Sequence, residues 1–479
     1  MRIFKNLIST FIFLTFFNCS DKSPVLQDNY LISNISVVDP VEGLKENIDI
    51  LISGNRIQKI SNYQSNKKLK IRVIDGTGKF IIPGLWDSHV HFSFNKKIAG
   101  SMSDLFLAHG VTSVRDTGGP LDIIMPHRDS ADVKITDAPR VMIAGPLIDG
   151  TPNVYNNSSL SFPNLSIENL NNTDIEKNVL DLIDKKVDFL KAYEMLNKEQ
   201  FLIVTKIGLK NKLNITGHIP LSMDLFSAVE GGLNGMEHLR NFEMSVANNS
   251  EELLLERLKL LKNTDNLEGS QLRSLIHQQQ RMSAINSIDE NKFLKAAKLL
   301  AKNKVWQTPT LILYRNFTMK SFKDSSFEEQ LKKIPDDVAE TWRNEIAKMD
   351  TIIYPSSLEY SKWMIETVGK LNEYNVPFLA GTDTPIGYLI PGRSLHRELE
   401  LFVKSGFSSL DALKTATINP AIYFGLENEI GRVKEGYEAD LVILNDNPIS
   451  KISSTQKINA VIKSGKYFDR KSLDFLMYK

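Results

Sequence analysis

The feature that most limits the fold of this chain is a regular alternation of strand-like and helix-like stretches across its middle. Eight short runs rich in apolar and β-branched residues, 85–92, 111–117, 141–148, 187–193, 214–218, 234–238, 305–311 and 376–383, read as strands. Helical patterns separate most of them, as at 98–109, 175–186, 198–209 and 290–303. Eight strand–helix units predict a (β/α)8 TIM barrel, with an open doubly wound sheet as the alternative. Two intervals, 241–287 and 315–357, exceed a simple connection, and the leucine-rich, charged stretches 251–262 and 327–350 within them predict extra helices over the face after the sixth and seventh strands.

The flanks read differently. Short β segments near 30–39, 48–52, 57–60 and 73–76 are too few to stand alone, and 431–433, 439–444 and 460–466 at the other end supply partners. The expectation is a small β-sandwich domain built from 30–80 and 428–479, with the barrel at 81–427. A chain of 479 residues, 42% hydrophobic and 24% charged, buries a sizeable core, and its net charge of +1 gives no reason to expect a nucleic-acid partner.

The single cysteine, Cys19, excludes an internal disulfide and a cysteine-based zinc cluster. It closes a short apolar run that follows Arg2 and Lys5, the layout of a secretory signal too short to span a bilayer. A lone cysteine there resembles a bacterial lipoprotein signal, so residues 1–19 are expected to be the signal, Cys19 the lipidated residue and 20–29 a tether to the cell envelope. An ordinary cleaved signal is the other reading.

Chemistry-bearing residues cluster at the predicted strand ends. In Leu85-Trp86-Asp87-Ser88-His89-Val90-His91-Phe92 the two histidines alternate, so they share one strand face and can grip one ion. Lys191, His218, His238 and Asp383 each close a later strand. Taken singly these are core histidines, a helix cap and a solvated lysine. In a barrel, however, all six meet in one cavity, where so many buried polar groups need a cation. Tyr193, two residues after Lys191, faces the same way and is either a substrate contact or barrel wall. His396 reads as structural, His109 as a dipole-stabilised surface group, and His127 and His277 show no metal spacing. Arg115 and Asp116 read as structural.

With Ile82-Pro83-Gly84-Leu85-Trp86-Asp87-Ser88-His89-Val90-His91, Gly217-His218, Glu237-His238, Gly381-Thr382-Asp383 and Ala439-Asp440-Leu441 in view, the chain resembles the metal-dependent amidohydrolase superfamily, in its imidazolonepropionase- and prolidase-like branch. The resemblance implies a metal-dependent hydrolase of an amide bond in a small molecule, such as a dipeptide or N-acyl amino acid. It implies His89 and His91 on the more buried metal, His218 and His238 on the more exposed one, Asp383 as ligand and base, and Lys191 carboxylated by carbon dioxide to bridge two ions. Zinc suits this His- and oxygen-rich set. A carbamate supplies the anionic, two-oxygen bridge that an ammonium cannot. A lactonase or cyclic-amide hydrolase on the same site, and a non-catalytic binding lipoprotein, are the alternatives.

Overall fold

The computed structural model describes residues 29–64, 70–132, 137–263, 266–319, 322, 325–349 and 355–477. The signal, Cys19 and nearly all of the tether lie outside the described residues. Among the described residues there are seventeen strands. Five open the chain: β1 (Tyr30–Asp39), β2 (Gly43–Ser53), β3 (Arg56–Asn62), β4 (Arg72–Asp75) and β5 (Phe80–Pro83). The middle holds β6 (Leu85–Val90), β7 (Val111–Asp116), β8 (Arg140–Ile143), β9 (Leu147–Asp149), β10 (Ser166–Glu168), β11 (Phe189–Ala192), β12 (Asn214–Gly217), β13 (Gly235–Glu237) and β14 (Trp306–Thr308). The last three are β15 (Leu441–Leu444), β16 (Ile458–Lys463) and β17 (Lys466–Asp469).

The two chain ends form one eight-stranded sheet in the order β17-β16-β15-β5-β1-β2-β3, with β4 paired to β1. The seam is β5 against β15, antiparallel, with Ile82 opposite Val442 and Ile81 opposite Ile443. Where a small sandwich was expected, the strands of both ends are hydrogen-bonded into one continuous sheet, in which β1 serves β4 with its first half and β5 with its second. Alternating residues on one face, among them Ile32, Ile50, Ile81, Leu441 and Ile462, make a core of their own.

Between the ends, parallel pairing runs β6-β7-β8 and β9-β11-β12-β13-β14. Further hydrogen bonds connect the two groups. Asp188 N donates to Ile143 O at 2.8 Å, and Leu379 N donates to Gln307 O at 2.9 Å. Ser88 N donates to Ala380 O at 2.8 Å, which brings 376–383 against β6. This mixed α/β arrangement is consistent with a TIM-barrel-like domain. It differs from the sequence expectation in detail: the last predicted strand makes isolated bridges at Phe378 and, just past its end, at Thr384, not a ladder, and 141–148 breaks at Gly145 into β8 and β9. All six residues of β6 and of β7 are buried, as strands covered on both faces must be.

The helices follow the predicted spacing closely, with Lys96–Ala108, Asn172–Asp184, Lys198–Lys210 and Glu290–Lys302 in the expected places. Asn95, Asn171, Asn197 and Asp289 cap their first turns. The stretch expected as one helix at 327–350 is two, Ser325–Leu331 and Asp336–Met349, because Pro335 sits between them.

Gly217, at the end of β12, illustrates how tightly the strand ends are drawn together. A Cβ built there would sit 2.0 Å from the carbonyl oxygen of Ala192 on β11. Backbone cannot yield as a side chain does, so Gly217→Ala is expected to destabilise the fold by about 3 kcal/mol, at the upper end of the overpacking range. Denaturant unfolding reads this, and an unchanged midpoint would disprove the close approach.

Candidate metal centre

β6 carries His89 one residue before its end at Val90 and is followed directly by His91, and the pleat aims both rings at one point. Opposite them comes Asp383, whose Oδ1 lies 3.2 Å from His89 Nε2 and 3.2 Å from His91 Nε2. His238 Nε2 approaches the other oxygen at 3.9 Å. The rings of His89 and His238 have centroids 4.7 Å apart, and those of His238 and His218 5.0 Å. Gly381 permits this approach, since a Cβ there would lie 2.7 Å from the Cβ of His89. Asp383 and His238 hold φ of 68° and 59°, the left-handed region, at a cost of order 1–3 kcal/mol each that the surrounding packing must offset.

Around these groups the protein fixes orientation. His91 Nδ1 is 2.9 Å from Gly118 O, which makes it the donor nitrogen and leaves Nε2 with a lone pair. His218 Nδ1 is 2.6 Å from Glu194 Oε1, and His238 Nδ1 is 2.6 Å from Thr310 Oγ1. Asp87 does not enter the cluster. It accepts from His89 N at 3.3 Å and from Thr382 N and Oγ1 at 3.0 and 2.6 Å, so it ties β6 to the Asp383 segment.

Lys191 is buried on β11 with its Nζ in contact with Glu237 Oε2. The other Glu237 oxygen accepts from Arg115 Nη2 at 3.0 Å and from Thr216 Oγ1 at 2.9 Å. Arg115 also donates through Nε to Ser88 O at 2.6 Å, and Asp116 accepts from Phe92 N at 2.8 Å, so both are structural though not paired to each other.

The electrostatics suit a cation. Burial holds the His89 and His238 imidazoles well below their ordinary pKa and brings His218 down to about 3, so these rings are neutral. His91 is the exception: burial lowers it, but the Asp383 hydrogen bond and charge raise it overall. Burial pushes the Asp383 carboxyl up, yet the imidazoles of His89, His91 and His238 close around it hold it well below the usual carboxylate range. Burial, with Arg115 nearby, depresses the Lys191 amine.

The residues present fit a metal ion. Among the described residues, both nitrogens of His89 and Asp383 Oδ1 are buried without a hydrogen-bond partner, which is costly unless something else occupies their lone pairs. Two groups, His89–His91–Asp383 and His89–Glu237–His238, each bring three ligand atoms within 4.8 Å of one another.

The residues predicted to hold metal or substrate, His89, His91, Lys191, Tyr193, His218, His238 and Asp383, line one small void of about 20 Å³. Tyr193 packs on His218 at 4.5 Å between centroids, and its hydroxyl accepts from Arg273 Nη1 at 3.3 Å. Sequence reasoning passed over Glu194 and Glu237, although each directly follows or precedes a strand-end site residue. It also passed over His277, whose Nε2 lies 2.8 Å from Glu194 Oε2. His396 is buried between Thr455 Oγ1 and His109 O, both at 3.0 Å, and His127 stacks on Phe92, away from the cluster. His109 is not the charged surface group expected: burial brings it to about 3, and it bonds Leu105 O at 2.8 Å.

Residues 277–467 match the model of the amidohydrolase family, a span that includes Asp383 but none of the four clustered histidines. Over 92% of its length the chain superposes on all of a Xaa-Pro dipeptidase with methionine in its active site, with TM-score 0.66 and 19% identity. It superposes likewise on 96% of the ochratoxinase of Aspergillus niger, with TM-score 0.63, 16% identity and 92% of this chain covered. In sequence it is 42% identical over 62 residues to a dihydroorotase of Clostridioides difficile (strain 630), 13% of this chain and 14% of that protein. The chain thus spans well under two thirds of the curated relatives it matches. The family match covers less than half of the chain, and the likeness to the solved structures is one of fold.

Proposed function

We propose that the protein is a metal-dependent hydrolase that cleaves an amide C–N bond of a small substrate such as a dipeptide or N-acyl amino acid. The observation that carries this reading is the convergence of His89, His91 and His238 on Asp383, with buried lone pairs left unpaired. We infer that 81–427 closes as a (β/α)8 barrel, which accounts for six residues from five separate strand ends meeting in one void.

His89, His91, His218, His238, Lys191 and Asp383 would hold two divalent ions, zinc by the chemistry of the donors, with Lys191 as the carbamate. The ions supply Lewis acidity to the scissile carbonyl and an acidified water. Asp383, kept ionised, accepts the proton of the attacking water and delivers it to the leaving nitrogen, which departs as an amine. Glu194 and Thr310 hold the His218 and His238 rings in one tautomer and orientation. Tyr193 donates its hydroxyl proton to the substrate or to the developing oxyanion.

Outside the described residues, Cys19 is proposed to carry a lipid anchor that holds the enzyme at a bacterial cell envelope. Among the described residues no helix is long and apolar enough to cross a membrane. A membrane-associated Cys19→Ala protein of normal size would remove that proposal.

Metal analysis of the purified protein and a screen of dipeptides, N-acyl amino acids and lactones test the activity together. Close to two equivalents of divalent metal and hydrolysis of an amide are expected. A metal-free protein, or one that opens lactones and leaves every amide intact, would replace this reading.

A further inference from the structure

Beside the metal centre lies a much larger cavity, of about 650 Å³, lined by Arg240, Arg273, His277, Arg281, Tyr314 and Tyr360 among others. Three of these come from the helix Gly269–Ile285, inside the long 241–287 interval, where Arg273, His277 and Arg281 recur every four residues and so share one face. The cavity adjoins the metal centre through Tyr193, whose hydroxyl Arg273 contacts, and through Arg240, which lies two residues beyond His238.

The guanidiniums are braced by rings more than by carboxylates. Arg281 lies 4.3 Å over the Tyr360 ring, and Arg273 lies 5.8 Å over Tyr155 and 5.5 Å over Phe162. Arg240 Nη2 donates to Tyr314 Oη at 3.0 Å. A ring that supports the face of a guanidinium leaves its N–H edge available for a planar anion. Among the described residues, Arg240 Nε and Arg281 Nη2 are buried without a hydrogen-bond partner.

The charges do not balance within the protein. Arg257, buried behind the cavity, is held by neutral groups, Gln280 Oε1 at 2.5 Å and Asn241 Oδ1 at 3.0 Å. Against Arg240, Arg257, Arg273 and Arg281 stand the buried Glu194 and Glu243. Glu194 is already engaged by His218 and His277, and lies 3.7 Å from Arg240 Nε and 3.9 Å from Arg273 Nη1. Glu243 lies 3.5 Å from Arg281 Nε. Of the three arginines that line the cavity, Arg240 and Arg273 share one already engaged carboxylate, and Arg240 Nε and Arg281 Nη2 keep unpartnered N–H groups, an arrangement that calls for anionic groups from outside.

From this geometry we infer that the cavity receives the amine-side portion of the substrate and that this portion carries two carboxylates, as in an N-acyl or dipeptidyl substrate ending in an acidic amino acid. The inference rests on the amide-hydrolase reading above and adds the substrate class. One carboxylate meets the Arg240 and Arg273 edges next to Tyr193, and the second reaches Arg281 further along the helix.

N-benzoyl-L-glutamate, N-benzoyl-L-glutamine and N-benzoyl-L-glutamine α-amide form a series of two, one and no negative charges on nearly one shape. For the metal-loaded protein, kcat/KM is expected to fall at least tenfold at each step. Arg281→Gln should erase the first step, mainly through KM, while Arg281→Lys restores part of it; thermal unfolding run alongside checks that both variants fold. Equal hydrolysis of all three, or of the first two, overturns the two-carboxylate pocket and leaves the hydrolase reading intact. If none is hydrolysed, calorimetric titration of the same compounds decides. Charge-dependent binding that Arg281→Gln abolishes keeps the pocket and discards the hydrolase reading, whereas no binding overturns the pocket as well.

Discussion

Asp383→Asn is expected to lower turnover at least about a hundredfold, about 2.7 kcal/mol of transition-state stabilisation, while retaining more metal than any histidine variant. The substitution keeps the shape and one carbonyl oxygen near His89 and His91, but an amide cannot accept the proton of the attacking water. Two features motivate the expectation that this residue is the base. Its Oδ1 is within 3.2 Å of two histidine nitrogens, so the carboxylate sits at the centre of the ligand set. Its backbone is also pinned: Asp383 N donates to His89 O at 2.7 Å, and Thr382 is held by Asp87, so the side chain cannot swing away to a capping role. Steady-state kinetics with metal content measured on the same sample reads the effect. Near wild-type turnover with metal bound would assign the proton transfer elsewhere.

Lys191→Ala is expected to abolish activity and to reduce bound metal from near two equivalents to one or fewer. The variant also leaves Glu237 facing Arg115 alone. Breaking a buried pair of this kind costs about 3–5 kcal/mol, so a lower melting temperature is expected as well. Stability loss alone does not establish a bridging role, and two further readouts separate the possibilities. Bicarbonate should speed reconstitution of the metal-stripped wild-type protein, since a carbamate forms from the lysine amine and carbon dioxide with loss of one proton. Bicarbonate should do nothing for Lys191→Ala. A Lys191→Ala protein that binds two ions and turns over normally would reduce Lys191 to the structural partner of Glu237.

Sequence pattern alone determined a good deal here. Alternating apolar runs and helical periods placed the strands of the middle section, because burial on both faces forces near-continuous apolar strands such as β6 and β7. The two-residue spacing of His89 and His91 already fixed a shared direction, since strand pleat is a local property. Strand-end position singled out Lys191, His218, His238 and Asp383, and all of them do line one void. What the pattern could not supply was anything that depends on residues far apart in the chain meeting in space. Glu237 lies under Lys191 and Arg115, Thr310 orients His238, and Glu194 joins His218 to His277, yet none of these pairs has a spacing that announces it. His109 looked like an exposed helix-end histidine until His396 was found bonding to its carbonyl, 287 positions away. The single sheet from both chain ends likewise depends on β5 meeting β15, a long-range pairing set by burial of their shared face. The arginine-lined cavity is the clearest case: a helix supplies the four-residue spacing locally, but only tertiary packing decides that this face turns toward the metal centre and that aromatic rings stand behind its charges.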